Sequence, residues 1–352
     1  MIIRIAPRVL ALAQWHPLLD TIVSLLEQPH IRHSVDPAQV GEIEASAWLA
    51  DARGYRGSTL ELLKRKAGAV AREVPSDAVT LVVDDRASLS GEIASSREIR
   101  AHPYCAITLL CHPLYLIVED EVSDGSFVLW MARLLGREVI QNSYNNGRLL
   151  FRHAGGKGQI GKSAKALTYG VWPREQRPIL SLKLRALALL DSDARFPGDQ
   201  QNASIIIEVS EHVVFVHQLG RRSIENYVPT KYFRRRLAAD GQGGLADAYF
   251  RMTDEQQSHF PIKRGFVDKT EPPQPQSQAA FKADVGRSQA ERDLFGTVDA
   301  ADWPHLAVGF GERLANVYQD PAYRCNASEE GQMSKVPRAE LNGFLTKVIQ
   351  YL

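Results

Sequence analysis

The chain has 352 residues, of which 44% are hydrophobic and 24% are charged, and its formal net charge is +1. This composition supports a buried core and excludes a chain that is disordered throughout. The near-zero net charge excludes a globally basic nucleic-acid-binding protein, so any nucleic-acid surface must be local. The length suits two or three domains.

The cysteines and the N-terminal residues bear on the cellular compartment. Three cysteines, Cys105, Cys111 and Cys325, provide neither a disulfide framework nor CxxC metal spacing. The first residues include Arg4 and Arg8 but no apolar run followed by a small-residue cleavage site, so we expect no signal peptide. No stretch reaches the roughly 18 to 20 apolar residues of a membrane span. We therefore expect a cytoplasmic protein that does not associate with membranes.

Residues 1–105 are predicted to form a mostly helical N-terminal region. Apolar residues recur at helical spacing from Val9 to Leu26, and a second helix is expected from Ser58 to Glu73. Residues 79–84 (Val-Thr-Leu-Val-Val-Asp) are typical of a strand, and Ala106 to Cys111 form a candidate strand.

Residues 106–232 alternate between strand and helix patterns. The predicted strands cover 114–119, 148–153, 186–191 and 212–217, and the predicted helices cover 124–135, 162–172 and 201–209. Such alternation favours a parallel sheet. Residues 233–352 are expected to be helical, with a Pro/Gln-rich loop near 271–278. The predicted fold is therefore α/β, with a mostly parallel sheet flanked by helices and with helical N- and C-terminal regions.

Acidic residues follow two of the predicted strands. Glu119 ends the first apolar run, Asp124 opens the following helix, and Asp191 and Asp193 follow another apolar run as a DxD pair. The carboxyl ends of parallel strands meet at one edge of a sheet. Carboxylates brought together there need a cation, and Mg²⁺ or Mn²⁺ suits oxygen ligands. The alternatives are a helix N-cap for Asp124 and an ordinary turn for the DxD pair.

The ordered set of strand–Glu119, helix–Asp124 and strand–DxD resembles the TOPRIM domain, the catalytic fold of topoisomerases, bacterial primases and several nuclease families. The resemblance covers roughly residues 112–232. Two positions depart from the family pattern: Asp120 stands where glycine is common, and Asp124 lies one residue further from the strand than usual.

Two further stretches narrow the resemblance. The loop Gly155-Gly-Lys-Gly158 looks like that of TOPRIM nucleases of the overcoming-lysogenization-defect type. The stretch Arg222-Ser-Ile-Glu-Asn-Tyr-Val228 is similar to an "R-x-IENYL" stretch in TOPRIM effectors of bacterial anti-phage systems. The resemblance implies a nuclease that acts in antiviral defence, often under the control of a separate ATPase, and a homo-oligomer is possible.

The resemblance also implies roles for individual residues. Glu119 would be a metal ligand or general acid/base, Asp191 and Asp193 would hold the metal, and Asp124 would be a supporting ligand. Lys157 would lie near a phosphate at the catalytic site, and Glu225 would support the metal or orient Arg222.

Basic residues downstream favour a polyanionic substrate such as DNA or tRNA. The predicted nucleic-acid-binding residues are Arg221, Arg222, Lys231, Arg234 and Arg235. The alternative is an ordinary solvated helix face. A second basic stretch contains His259, Lys263 and Arg264, which could donate to a leaving group or phosphate, but surface positions are expected for them.

Two other functions stay open at this point. Residues Gly156 to Ser163 fit GxxxxGK[ST], the phosphate-binding loop of P-loop NTPases, in which Lys162 would hold phosphate and Ser163 would hold Mg²⁺. That interpretation leaves Glu119 without a role. A non-catalytic nucleic-acid-binding module would instead keep the fold and use only the basic surface.

Overall fold

The computed structural model describes residues 1–28, 33–51, 56–70, 78–169, 183–229, 241–268, 270–319 and 335–352. Within these ranges the fold is α/β, with one mixed sheet, one parallel sheet and flanking helices. The coarse fold class predicted from the sequence is confirmed.

The first sheet lies in the N-terminal region and has the strand order β2-β1-β3-β5-β4. Its strands are β1 (Ile2–Ile5), β2 (Ser34–Val35), β3 (Thr80–Val83), β4 (Glu92–Ser95) and β5 (Glu98–Ala101). All neighbouring strands pair in parallel except β4, which is antiparallel to β5 at the edge. The helices of this region are α1 (Pro7–Ala11), α2 (His16–Glu27), α3 (Val40–Glu44), α4 (Ala47–Asp51), α5 (Arg56–Gly68) and α6 (Pro103–Cys111).

The N-terminal region differs from its sequence prediction in two ways. Its helices pack on a five-stranded sheet of which only β3 was expected. The other strands have only two to four residues, which is too short for a pattern to stand out in the sequence. The strand predicted for Ala106 to Cys111 is wrong, since these residues belong to α6. A short apolar run fits a buried helix as well as a strand, and Pro103 in the first turn favours the helix.

The second sheet is parallel throughout and has the order β7-β6-β8-β9. Its strands are β6 (Leu114–Val118), β7 (Leu149–His153), β8 (Ala186–Leu190) and β9 (Phe215–Gln218). The helices α7 (Ser123–Leu134), α8 (Glu138–Asn145), α9 (Ile160–Tyr169) and α10 (Ala203–Ser210) connect or cover them. The strands predicted from apolar runs are therefore present, within a few residues at each end.

The two central strands of the second sheet, β6 and β8, are buried on both faces, as their continuous apolar runs predict. All five residues of β8 are buried. Leu187 and Leu189 enter the main core, whereas the alanines of β8 and Leu190 face a smaller core that includes Ile160 of α9 and Val209 of α10.

The two sheets share an arrangement of their parallel strands. In the first, β1 lies between β2 and β3; in the second, β6 lies between β7 and β8. The strand order thus reverses between β1 and β3, and again between β6 and β8. In α/β sheets, ligands bind at the carboxyl ends of the strands where this reversal occurs. We call these two places the first and second switch points.

The C-terminal region is helical around an aromatic core. Its helices are α11 (Gly243–Arg251), α12 (Asp254–His259), α13 (Gln278–Ala283), α14 (Gln289–Gly296), α15 (Trp303–Ala307) and α16 (Lys335–Tyr351). The rings of Phe266 and Trp303 stack at 4.3 Å between centroids, and Phe260, Phe281 and Phe295 surround them. The Pro/Gln-rich stretch is a loop as far as Ser277, and Gln278 begins α13.

Helix α16 connects the two sheets. The Gln350 side chain donates to the carbonyl of Ser96, and the Gln350 carbonyl accepts from the N–H of Val79, both beside the first sheet. Glu340 accepts from the N–H of Gly220, just after β9 of the second sheet. Neither α16 nor any other helix in the described ranges has the length and apolar character required to cross a bilayer.

Candidate active site

Acidic side chains meet at the second switch point. Glu119 directly follows β6, Asp191 directly follows β8, and Asp193 lies two residues further. Asp124 lies in the first turn of α7, and Glu225 lies in a short 3₁₀ helix, Ile224–Tyr227. The charges of the other four raise the pKa of Asp191. The structure thus brings together all five acids singled out in the sequence, which we call the acidic cluster.

Within the acidic cluster, the pKa of Asp191 is the most strongly raised. Burial, and then the charges of Asp124 and Glu225, raise its pKa well above the ordinary value. Its Oδ1 accepts a hydrogen bond from the N–H of Ile224 at 3.1 Å, and its backbone carbonyl accepts from Asn202 Nδ2 at 2.6 Å. The carboxyl group is therefore fixed in position, in surroundings that oppose its ionisation.

Glu119 and Asp124 are also harder to ionise than usual. Burial, with the charges of Asp124 and Asp193, raises the pKa of Glu119 to about 7. Burial raises the pKa of Asp124 to about 6. A carboxyl group with a pKa near neutrality can both hold and release a proton under physiological conditions.

The prediction that Asp124 caps the helix is wrong, because the side chain of Asp120 accepts the hydrogen bonds at the start of α7 instead. Asp120 Oδ1 accepts from the N–H groups of Val122 and Ser123, each at 2.8 Å, where α7 begins. Asp124 Oδ2 instead accepts from the N–H of Asp120 at 3.0 Å. The helix begins at Ser123, one residue earlier than predicted, and Asp124 is left to face the acidic cluster.

Lys157 contacts Asp193 across the site. Gly155 and Gly156 have positive φ angles, which turn the chain sharply after β7 and bring Lys157 back over the sheet edge. Lys157 Nζ lies 2.5 Å from Asp193 Oδ2. Asp193 itself has a φ of 53°, and its N–H donates to the carbonyl of Arg222 at 2.8 Å. The glycine loop thus places a cation against one member of the acidic cluster.

Glu225 is the most deeply buried acid of the cluster, with a side chain 0% exposed. Neither of its carboxylate oxygens accepts a hydrogen bond. Lys263 Nζ lies 2.9 Å from Oε1, so the compensation visible in the structure is an ion pair. A buried carboxylate without hydrogen bonds is unfavourable, and Oε2, which lies outside the ion pair, could contact a further cation.

The Glu-Asn-Tyr stretch fixes Glu225 through its neighbours. Asn226 Nδ2 donates to the carbonyls of Gln257 and Phe260 at 2.9 and 3.1 Å. The hydroxyl of Tyr227 donates to Glu340 of α16 at 2.7 Å. Both neighbours of Glu225 are thereby tied to the helical C-terminal region, which explains in physical terms why these residue types occur together.

A cleft of about 340 Å³ opens beside the acidic cluster. Asp191 and Asp193 line it together with Arg222, Ser223 and the segment 261–264. Arg222, Lys263 and Arg264 thus form a basic cluster on the same cleft. Cations can hold the phosphates of a polyanion while the carboxylates face the bond to be cleaved.

The loop that carries Lys263 and Arg264 is pinned at both ends. The N–H groups of Phe310 and Gly311 donate to the carbonyls of Ile262 and Lys263, both at 2.8 Å. Gly265 and Gly309 both have positive φ angles and approach so closely that a Cβ on either would meet backbone atoms. The basic cluster therefore stands on a rigid support.

The predicted nucleic-acid-binding residues have different positions. Arg222 lines the cleft. Arg221 contacts the Tyr227 stretch instead: its Nη1 donates to the carbonyl of Asn226 at 2.8 Å, and its guanidinium lies 5.8 Å from the centre of the Tyr227 ring. The remaining three, Lys231, Arg234 and Arg235, lie outside the described residues.

For two residues of the basic cluster, the sequence predicted only a weak role in the site. Surface positions were expected for Lys263 and Arg264, and both line the cleft. Their neighbour His259 is buried, and its Nδ1 lies 3.1 Å from the carbonyl of Ala194, so it packs behind the site. In the sequence, Lys263 and Arg264 form a basic pair shortly after Phe260-Pro261, and this pair could have drawn attention. Nothing in the sequence indicated that the pair lies close to Asp191 and Asp193.

The segment that fits the P-loop pattern leads into a helix and has a carboxylate beside it. Lys157–Gln159 is a 3₁₀ turn and α9 begins at Ile160, so Gly161 and Lys162 already lie in the helix. The Lys162 side chain is exposed, and the carboxylate of Glu208 lies directly against Gly161. A carboxylate at this place repels phosphate.

The acidic cluster suits a divalent cation in charge and ligand type, but it is not a preformed cage. In the described ranges, no three His, Cys, Asp or Glu side chains converge closely enough to hold one ion by themselves. Mg²⁺ is commonly held by one or two carboxylates together with water and substrate phosphates. The unbonded oxygens of Glu225 and the raised pKa of Asp191 fit such a partial site.

Comparison with known proteins gives no match to a family model, a curated protein or a solved structure. The TOPRIM resemblance accordingly stays a prediction from the motifs. What supports a function is the arrangement of the two clusters around the cleft.

Proposed function

We propose that this chain is a metal-dependent nuclease of TOPRIM type that hydrolyses phosphodiester bonds. The observation that carries the proposal is the acidic cluster beside the basic cluster on one cleft at the second switch point. Burial first, and then repulsion from neighbouring acids of the site, raises the pKa values of Asp191, Glu119 and Asp124. Structure alone gains nothing from such repulsion, whereas a catalytic site does.

The residues divide into three groups by chemistry. Asp191, Asp193 and Glu225 would hold Mg²⁺ or Mn²⁺, with Asp124 in support. When bound, the cation would stabilise negative charge on the scissile phosphate and make its bound water more acidic. Glu119, at the end of β6 beside these ligands, would accept a proton from water or return one to the leaving oxygen.

The cations would position the substrate. Arg222 and Arg264 would contact phosphates along the cleft, since an arginine guanidinium can make paired hydrogen bonds to phosphate oxygens. Lys157 and Lys263 now neutralise Asp193 and Glu225. A metal ion that took over those carboxylates would leave both lysines available to phosphate.

A cleavage assay tests the proposal. Plasmid DNA, single-stranded DNA and tRNA are incubated with Mg²⁺ or Mn²⁺ and with wild type, Asp191→Asn or the exposed neighbour control Glu121→Gln. We expect cleavage of at least one substrate by wild type and by the control, and a loss of about a hundredfold or more in Asp191→Asn. Binding without cleavage under any metal would contradict the proposal and favour a non-catalytic binding module.

Control by a separate ATPase and a role in anti-phage defence are supported by the resemblance, and the carboxylate of Glu208 against Gly161 disfavours nucleotide binding by this chain at residues 156–163. Affinity purification of the native protein from its own cells tests this. Recovery of a bound ATPase is expected; recovery of the protein without any ATPase would count against the partner. The Lys162→Ala variant should cleave as well as wild type does. Loss of cleavage in this variant would instead favour the P-loop interpretation.

A further inference from the structure

The first switch point carries its own group of polar and aromatic side chains. Arg8 follows β1 and Asp85 follows β3, and Arg8 Nε lies 3.0 Å from Asp85 Oδ2. The indole N–H of Trp15 donates to the same oxygen at 3.3 Å. His102 follows β5, the next parallel strand. These residues occupy the place in the first sheet that corresponds to the acidic cluster in the second.

Three rings stand together at this place. His102 and Tyr104 stack with ring centres 5.5 Å apart and planes 16° apart. Trp15 meets both edge-on, at 5.0 and 6.3 Å. Tyr104 is nevertheless 55% exposed, more than any other aromatic side chain in the described ranges. One face of its ring is thus supported by His102, and the rest of the ring is open to solvent.

Two buried polar atoms in the group have no hydrogen-bond partner. They are Asp85 Oδ1 and His102 Nδ1. The Asp85 side chain is only 6% exposed. An unsatisfied buried polar atom destabilises the fold by about 1 to 3 kcal/mol unless a partner arrives. The polar groups beside the aromatic rings are thus not all paired within the fold.

The first switch point differs from the second in the residues near its first strand. Arg8 lies in the first turn of α1, three residues after β1, with a side chain 54% exposed, whereas the acid Glu119 directly follows β6; two acids, Asp84 and Asp85, follow β3. An exposed arginine beside an aromatic platform suits a ligand that is anionic at one end and planar at the other. A bare metal ion does not meet this description.

We propose that the first switch point is a nucleotide-binding site. A base stacks on the open face of Tyr104, and Arg8 pairs with the phosphate. Asp85 holds Arg8 and Trp15 in place beside the ligand. A free nucleotide and the end of a single strand share this chemistry. The proposal does not depend on nuclease activity, because none of its residues belongs to the acidic or basic cluster.

The test is isothermal titration of the full-length protein in EDTA, which removes metal-dependent binding at the second switch point. The probes are AMP, adenosine, ribose 5-phosphate and a short 5′-phosphorylated oligodeoxyadenylate. The variants are Tyr104→Ala and Arg8→Gln, both at exposed side chains, with Tyr144→Ala as the matched control at an exposed tyrosine of α8. Asp191→Asn serves to exclude binding at the acidic cluster.

We expect AMP to bind, and Tyr104→Ala to weaken its binding roughly tenfold, as the loss of one stacked base does. Arg8→Gln should weaken AMP but not adenosine, while Tyr144→Ala and Asp191→Asn should leave the affinity unchanged. Tighter binding of the oligonucleotide than of AMP identifies a strand end as the ligand, and the reverse order identifies a free nucleotide. No binding of any probe, equal binding of ribose 5-phosphate and AMP, or full binding by Tyr104→Ala would overturn the proposal.

Discussion

At the scale of single residues, the side chains of the acidic cluster are held in surroundings that oppose their ionisation. Glu119 has a pKa raised to about 7 by burial and by Asp124 and Asp193. The ordinary pKa of a glutamate is 4.5. The folded protein therefore binds a proton at Glu119 more tightly than the unfolded chain does between these two values. By linkage, Glu119 lowers the free energy of unfolding as the pH rises through this window.

The first prediction follows from this loss of stability with rising pH. In metal-free buffer, Glu119→Gln should be more stable than wild type at pH 8, by on the order of 1 kcal/mol, and the difference should vanish near pH 4.5. Urea denaturation at several pH values measures it. Glu121→Gln, at an exposed position, should match wild type throughout. If the difference in stability between Glu119→Gln and wild type stayed constant with pH, the pKa of Glu119 would not be raised as described.

At the scale of elements, the loop between α12 and α13 holds Lys263 and Arg264 at the cleft. Gly265 allows this because its φ of +68° is strained for other residues and because its α-carbon abuts the backbone at Leu306 and Ala307. The carbonyls of Ile262 and Lys263 accept from the backbone of Phe310 and Gly311. The basic cluster thus depends on backbone packing that a single methyl group would disturb.

Gly265→Ala should lower the free energy of unfolding by about 2 kcal/mol or more, through both the strained φ and the backbone contact. Its matched control is Gly343→Ala in α16, where a Cβ would meet nothing within 4 Å and φ is not positive. The control should be neutral or stabilising by about 0.5 to 1 kcal/mol. Chemical denaturation of both variants checks the pair; equal stabilities would refute the role given to Gly265.

The elements also show what the sequence could and could not predict. β6 and β8 were predictable, because buried parallel strands are continuous apolar runs and the acids at their ends mark the sheet edge. The strands of the first sheet were mostly missed, because β2 has two residues and exposed β4 has no apolar face. The helix α6 was mistaken for a strand, because its short apolar run shows no period.

The candidate site, too, has parts that the sequence predicted and parts that it did not. The acidic cluster was predictable from local sequence, since four of its members follow strands or open a helix. The placement of Lys263 and Arg264 was not, because it depends on Asn226 bonding to Gln257 and Phe260 across the fold. Contacts between residues so distant in sequence leave no periodic signal. The contacts of Arg221 are local, to Asn226 and Tyr227, and its role in nucleic-acid binding stays a prediction.

At the scale of the whole molecule, two sheets with the same order of parallel strands carry different side chains at their switch points. The first presents Arg8 and an aromatic platform, and the second presents the acidic cluster. Helix α16 connects them through Gln350 and Glu340. Its Glu340 accepts hydrogen bonds from Gly220 and Tyr227 and pairs with His217.

Glu340→Ala should therefore destabilise the whole protein, because it removes three partners at once and leaves the Tyr227 hydroxyl without its acceptor. We expect a loss of about 2 kcal/mol or more in the free energy of unfolding. Thermal unfolding followed by circular dichroism measures it, with Glu121→Ala as the control at an exposed acid. A melting temperature equal to that of wild type would show that α16 does not secure the second sheet in this way.

The most direct test of the acidic cluster is a Mn²⁺ titration followed by electron paramagnetic resonance, which detects the ion whether or not cleavage occurs. Wild type, Asp191→Asn, Glu121→Gln and Lys162→Ala are compared at pH 8, each with single-stranded DNA present. We predict Mn²⁺ binding by wild type, Glu121→Gln and Lys162→Ala, and binding at least tenfold weaker by Asp191→Asn. Undiminished binding by Asp191→Asn, or none by wild type, would contradict the assignment of the second switch point as a metal-dependent centre.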